Sequence, residues 1–339
     1  MIEDEASSSI IRRVVGDRMA DEANVMDFAF FGCEESFGYG PIRHTAGMFL
    51  DLIGQAAESD SADALWSISI HIFNAKLREY PSDEEWKKFT GVILPGSYSS
   101  ACEQNVPWID KLKQVIQQVI VPQQIPTLGI CFGHQIMAQS FEPQGKVEKL
   151  MEQQAKIDKA ENENDTQLQS ATLSVSSISC CPSPRAGRVS LASSQTGKDL
   201  LGKASLDLFV THGDHVAKLP PTALSLGGDE IVPIQAAAYY GTPEQAEEAQ
   251  QLSSLRKPYA MTFQSHLEYA TSRDLGLHRT LEMIMDQMEH KGDIADDYKI
   301  AVREDARERF PQVQADSIEA MVMVGRTLGW FPSRSDFRG

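Results

Sequence analysis

The sequence predicts an α/β fold built on a doubly wound, mostly parallel sheet with helices on both faces. Three observations predict it. Short apolar runs of strand length alternate with longer amphipathic runs, which is the pattern of a parallel wound sheet. One cysteine, in Gly129-Ile130-Cys131-Phe132-Gly133-His134-Gln135, sits where such a strand turns into a helix. A histidine, His266, follows a second apolar run, and open parallel sheets gather functional groups at the carboxyl ends of their strands.

Residues 1–24 are polar and of mixed charge and read as a loosely attached extension. Residues 27–32 form the first strand, 43–55 a helix, 65–73 the second strand and 91–94 the third. Residues 107–121 carry the clearest amphipathic helix. Trp108, Ile109, Leu112, Val115, Ile116, Val119 and Ile120 recur at intervals of three and four, and Pro107 suits a helix start. The stripe reads as core against the sheet. Thr127, Leu128, Gly129 and Ile130 make a fourth strand leading into Cys131, after which residues 135–141 resume a helical pattern. Two segments break the alternation. Residues 148–184 contain an acidic Asn-rich stretch and a Ser-rich run ending in Cys180-Cys181-Pro182-Ser183-Pro184, a composition with too little apolar surface to form a core. Residues 241–256 are rich in Glu, Gln and Ala and read as a solvated helix. Both read as insertions in one domain over residues 25–290. Thr271-Ser272-Arg273-Asp274 resembles a capping box ahead of the stripe Leu277, Leu281, Ile284, Met285 and Met288. Residues 291–339 keep an apolar helical pattern through Ile318, Met321, Val322 and Leu328 to Trp330, and read as a helical tail that packs back on the domain.

Composition narrows the function classes. Of 339 residues, 42% are hydrophobic, ample for a core, yet no apolar stretch approaches the ~18–20 residues that cross a bilayer. The acidic Met1-Ile2-Glu3-Asp4-Glu5 start has no apolar signal core, so the cytoplasm is the expected compartment. Five cysteines, two of them adjacent, do not make a disulfide framework, and a reducing compartment preserves a reactive thiol. A net charge of −17 argues against nucleic acid, which is bound through clustered Lys and Arg.

The chemistry centres on Cys131. A residue on a sharp strand-to-helix corner is held in a strained backbone region, and Gly129 and Gly133 remove the Cβ atoms that would collide there. The thiol is left exposed, and helix-start amides point partial positive charge at it, which suits a thiolate. Such a nucleophile needs a base that is near in space rather than in sequence. Of eight histidines, His266 is favoured because it ends an apolar run and Glu268 follows two positions on. If the chain stays extended, both project from one side and the carboxylate holds the imidazole tautomer. The N–H after an elbow nucleophile, that of Phe132, faces a developing oxyanion. His212, Asp214 and His215 lie too close in one turn, without a matching fourth ligand, to read as a metal site. His71 reads as a core or edge histidine, and His44, His278 and His290 as surface.

These residues resemble a family. The run 129–135 together with Phe263-Gln264-Ser265-His266-Leu267-Glu268 is similar to the class I glutamine amidotransferases, particularly their stand-alone GMP-synthase-like and γ-glutamyl-peptidase-like branch. Val92-Ile93-Leu94-Pro95-Gly96-Ser97 resembles the family's oxyanion-loop strand, and Thr211-His212-Gly213-Asp214 its His-Gly-Asp segment. The resemblance implies the flavodoxin-like amidotransferase fold and a triad of Cys131, His266 and Glu268. It also implies Gln135 near the bound glutamyl group, and an oxyanion hole from the N–H groups of Gly96 or Ser97 and of Phe132. It implies thioester-mediated hydrolysis of a small γ-glutamyl amide, glutamine or a γ-glutamyl peptide, with neither metal nor cofactor. Two departures stand out: Leu267 replaces the Pro usual between His and Glu, and Arg185 precedes Gly187 where relatives often carry an acidic residue. Two alternatives stay open, a glutaminase subunit passing ammonia to a separate synthase and a catalytically silent binding or regulatory relative.

Overall fold

A computed structural model describes residues 9–17, 22–35, 40–149, 185–252 and 256–331. The first half contains β1 (Ile10–Gly16), β2 (Ala23–Gly32), α1 (Ile42–Asp60), β3 (Leu65–Asn74), β4 (Gly91–Leu94), α2 (Pro107–Val115), β5 (Thr127–Ile130) and α3 (Phe132–Gln139). The second half contains β6 (Lys146–Lys149), β7 (Arg185–Ser193), α4 (Gln195–Leu201), β8 (Ser205–His212), β9 (Asp214–Lys218), β10 (Ala223–Gly228) and β11 (Ala236–Tyr239). It continues with α5 (Pro243–Leu252), β12 (Ala260–Phe263), α6 (Glu282–His290) and α7 (Asp296–Thr327).

One ten-stranded sheet runs in the order β1-β3-β2-β4-β5-β12-β11-β10-β7-β8. Its central strands β3, β2, β4, β5 and β12 are parallel. The strands outside them pair antiparallel, and β6 and β9 make a separate ribbon. The parallel centre is buried on both faces, and β2 explains how. Phe28 and Phe30 join the core under α1 and α7, whereas the intervening Ala29 and Phe31 join the core under α2 and α3, as the period-two alternation of a strand requires.

The first strand of the chain departs from the sequence reading of residues 1–24 as a loose extension. Ile10–Gly16 pairs along its whole length with β3, burying Ile11 and Val15 and pairing Arg13 with Asp51 of α1. Alternating Ile11, Arg13 and Val15 sit in a segment whose charged neighbours hid the short apolar set. The helix from Pro107 widens into a π turn at Ile116–Ile120, and Ile109, Leu112, Val115, Ile116 and Ile120 are buried. In the segment 241–256, α5 buries Ala246 and Ala249. Residues 150–184, most of the first expected insertion, lie outside the described residues. Ser272, not Thr271, caps the helix before α6 by accepting from the Leu275 N–H at 3.3 Å. Past α6, α7 lies across β7, β8 and α1. Beyond it Trp330 meets Phe28 edge-on, ring centroids 4.7 Å apart, and Phe331 meets Trp66 at 5.5 Å.

Candidate active site

The carboxyl ends of β5 and β12 lie side by side, Ile130 in register with Phe263, and the ladder runs one residue further because the Cys131 N–H donates to the Phe263 carbonyl at 2.7 Å. Cys131 adopts φ 52°, ψ −104°, a region non-glycine residues enter only under constraint. The flanking glycines make the corner feasible. A Cβ on Gly133 would stand 2.0 Å from the Leu94 carbonyl oxygen, and one on Gly129 2.9 Å from the Gly133 backbone. The Cys131 side chain is 4% exposed and reaches the edge of a cleft of about 400 Å³. Its sulfur lies 3.7 Å from the Thr211 carbonyl oxygen and 3.7 Å from Gln264 Nε2.

His266 follows β12 by three residues and is anchored by its N–H, which donates to the Phe209 carbonyl of β8 at 2.7 Å. Its ring is fully buried and stacks on Tyr269, centroids 4.1 Å apart and planes 6° from parallel. Nδ1 lies 2.7 Å from Glu268 Oε1, while Nε2 has no conventional hydrogen-bond partner among the described residues. Burial opposes a charge on the imidazole, but the Glu268 carboxylate and the Cys131 sulfur outweigh it and raise its pKa well above the ordinary value. The chain does not stay extended here. Leu267–Ala270 forms a 3₁₀ turn, which brings Glu268 back under the imidazole. Leu267, in the position of the family's usual Pro, is fully buried.

The other residues expected at the site flank this pair. Phe132 opens α3, so no intrahelical carbonyl can take its N–H. Ser97 lines the cleft, and its hydroxyl lies 2.9 Å from the Cys33 carbonyl oxygen; the adjacent Gly96 is buried. Gln135 also lines the cleft, its Nε2 donating to the Asp214 carbonyl at 2.9 Å and lying 3.2 Å from Gln264 Oε1. His212 uses Nδ1 on the Asp214 carbonyl at 2.9 Å, and burial together with the Arg185 charge pushes its pKa down to about 3. Arg185, the second departure, is paired with Asp229 at 2.8 Å. Among the described residues no group of three or more His, Cys, Asp or Glu side chains is arranged to hold a metal ion, and no helix is long and apolar enough to cross a membrane.

Residues 64–274 match the family model for glutamine amidotransferase class-I. The chain belongs to the class I glutamine amidotransferases. Among curated relatives, this amidotransferase is 28% identical over 104 residues to a glutamine amidotransferase-like protein of Schizosaccharomyces pombe, 29% of this chain and 42% of that one. It is 27% identical over 182 residues to a GMP synthase of Vibrio parahaemolyticus, 52% of this chain and 26% of that one. A γ-glutamyl peptidase of Arabidopsis thaliana is 36% identical over 62 residues, 18% of this chain and 24% of that one. The amidotransferase thus spans less than two thirds of the length of these relatives. Its fold matches that of a glutamine amidotransferase from Thermotoga maritima with a TM-score of 0.54, at 18% identity, covering 91% of this chain and 99% of that one.

Several residues at the amidotransferase cleft were not assigned to it by the sequence, Met288 among them having been read only as part of a core stripe. Gln264 bridges Cys131 and Gln135, and Tyr269 supports the imidazole face. The wall contributed by Gln287, Met288 and Lys291 lies beyond the matched segment. Tyr98 ties that wall to the turn after β4, its hydroxyl 2.7 Å from Gln287 Oε1 and its ring 5.0 Å beneath Lys291 Nζ. Of these, only Gln264 carried a signal, its place two residues before His266.

Proposed function

We propose that the protein hydrolyses γ-glutamyl amide bonds through a thioester on Cys131, with His266 as the proton carrier and Glu268 as its orienting partner. The observation that carries the reading is the strained elbow cysteine standing beside a buried imidazole whose Nδ1 is held by a carboxylate at 2.7 Å. With the proton held on His266 Nε2, as the raised imidazole requires, Cys131 Sγ attacks the amide carbonyl carbon. The oxyanion faces the N–H groups of Phe132 and of Gly96 or Ser97. Collapse breaks the C–N bond, the departing amine takes the proton from Nε2, and a thioester remains. Water, giving a proton to Nε2, adds to the thioester carbonyl; expulsion of the sulfur as thiolate beside the protonated imidazole releases glutamate and restores the starting pair. Each oxyanion donor is worth ~3–4 kcal/mol of transition-state stabilisation.

Within this chemistry a γ-glutamyl peptide or conjugate is favoured over glutamine. A cleft of about 400 Å³ lies in the range of ~300–1,000 Å³ that encloses drug-sized ligands, larger than glutamine requires. Local identity to γ-glutamyl peptidases supports the same choice. The longer alignment with a GMP synthase favours a second reading, in which the chain supplies ammonia to a separate synthase. A thiol nucleophile suits the reducing cytoplasm. The deciding measurement compares turnover of glutamine and of γ-glutamyl dipeptides by the isolated protein, with Cys131→Ala as control. Dipeptide turnover exceeding that of glutamine supports the peptidase reading. A Cys131→Ala protein as active as the parent removes the mechanism, and a Cys131 that a glutamine-mimicking chloroketone leaves unmodified points to a silent relative.

A further inference from the structure

Glu34 lies just past the end of β2, 7% exposed, and is held by donors from three separate parts of the chain. Its Oε2 lies 3.1 Å from the Tyr98 N–H nitrogen, 3.1 Å from Ser97 Oγ and 3.1 Å from Lys76 Nζ, while Oε1 accepts from the Glu35 N–H at 3.0 Å. Two of these donors belong to the turn that follows β4 and carries Gly96 and Ser97. The Ser97 hydroxyl in turn accepts from the Ser99 N–H at 3.1 Å. Lys76 extends the chain of contacts: its Nζ stands 6.0 Å from the Trp108 ring centroid, and Trp108 packs on Phe132 with centroids 5.5 Å apart. One connected series, Glu34, Lys76, Trp108 and Phe132, therefore joins the two segments whose amides are proposed above to face the oxyanion.

We propose that Glu34 is a positioning residue that fixes the spacing and direction of the oxyanion-stabilising amides. The inference rests on the proposed hydrolysis. A buried carboxylate oxygen left short of donors costs free energy, so a rotation of the Ser97–Tyr98 peptide that strips the Tyr98 N–H from Glu34 is opposed. With the Tyr98 N–H committed to Glu34, the amides left to face the cleft from this turn are those of Gly96 and Ser97. Glu34 is not among the residues lining the cleft that Cys131 reaches, which separates its role from that of His266 and Glu268.

Glu34→Gln and Glu34→Ala test this, because the amide oxygen of Gln can still accept from Tyr98 and Ser97 whereas Ala cannot. With a γ-glutamyl dipeptide, Ala lowers kcat by about 10²-fold, the scale of losing one oxyanion donor, and leaves KM within about threefold of the parent. Gln keeps kcat within about tenfold. Alkylation of Cys131 by iodoacetamide, a displacement that builds no oxyanion, proceeds at the parent rate in both variants. Amide hydrogen exchange at Tyr98 accelerates at least about tenfold in Ala and stays near the parent in Gln. A rise in KM with kcat unchanged, equal losses in Gln and Ala, or unaltered Tyr98 exchange overturns the proposal. If the parent hydrolyses no γ-glutamyl amide, the functional reading fails instead, and Tyr98 exchange still decides whether Glu34 holds the turn.

Discussion

Cys131 sits at φ 52°, ψ −104°, in a region that costs a side-chain-bearing residue of order 1–3 kcal/mol. Replacement by Ala removes the sulfur and keeps that cost, whereas Gly relieves it against ~0.5–1 kcal/mol of added chain entropy. Cys131→Gly is therefore expected to be about 1 kcal/mol more stable than Cys131→Ala in urea titrations, and an Ala variant of equal or greater stability contradicts a strained elbow. Glu268→Gln keeps the shape at His266 Nδ1 but removes the charge that raises the imidazole. Turnover should fall by up to about 10⁴-fold, the loss that follows when a triad's orienting carboxylate is made an amide, and a loss under tenfold would deny Glu268 that role. At this scale the sequence was legible where the chemistry is local. Gly129 and Gly133 mark the corner because the atoms a Cβ would strike belong to the turn and to neighbouring strands. The Tyr269 stack, the Gln264 bridge and the Glu34 contacts were not legible, because each joins residues whose proximity only the folded chain creates.

Among elements, the periodic ones were read well. The stripes of the helix from Pro107 and of residues 277–288 are buried as their spacing implies, since a repeat of three and four has one face to hide. Short strands with charged neighbours were read less well. β1 alternates over only seven residues, and its pairing is decided by β3 rather than by itself. The turn after β12 was read as extended, although the tight return there is what sets Glu268 against His266. The terminal helix α7 reaches the site through packing: Phe310, 3% exposed, lies against Phe209 with ring centroids 6.3 Å apart, and the Phe209 carbonyl holds the His266 N–H. Phe310→Ala should lower unfolding free energy by ~3–5 kcal/mol, measured by denaturant titration. A loss below about 1 kcal/mol would mean that α7 contributes little to that wall.

For the molecule as a whole, two buried histidines set an acid limit. His134, whose Nδ1 lies 2.7 Å from Thr262 Oγ1, is pushed by burial down to about 4, and His212 to about 3. The unfolded chain protonates both near pH 6.5, so it binds protons the native state refuses, and stability falls as pH drops from there toward about 4. Each adds about 1.4 kcal/mol per pH unit within that window. His134→Gln should therefore show a shallower loss between pH 6.5 and 4.5 than the parent in urea midpoints converted to free energies, and parallel curves would contradict a neutral native His134. The order of the sheet carries a further consequence. The Cys131 sulfur and the His266 imidazole, the pair in the proposed mechanism, follow adjacent, hydrogen-bonded strands, so their separation is inherited from the ~4.8 Å lateral repeat of the backbone ladder. Chain added between residues 149 and 185, or between β11 and β12, lengthens connections without entering that repeat. On the proposed mechanism, insertions there would reshape what surrounds the cleft without changing the spacing of sulfur and imidazole.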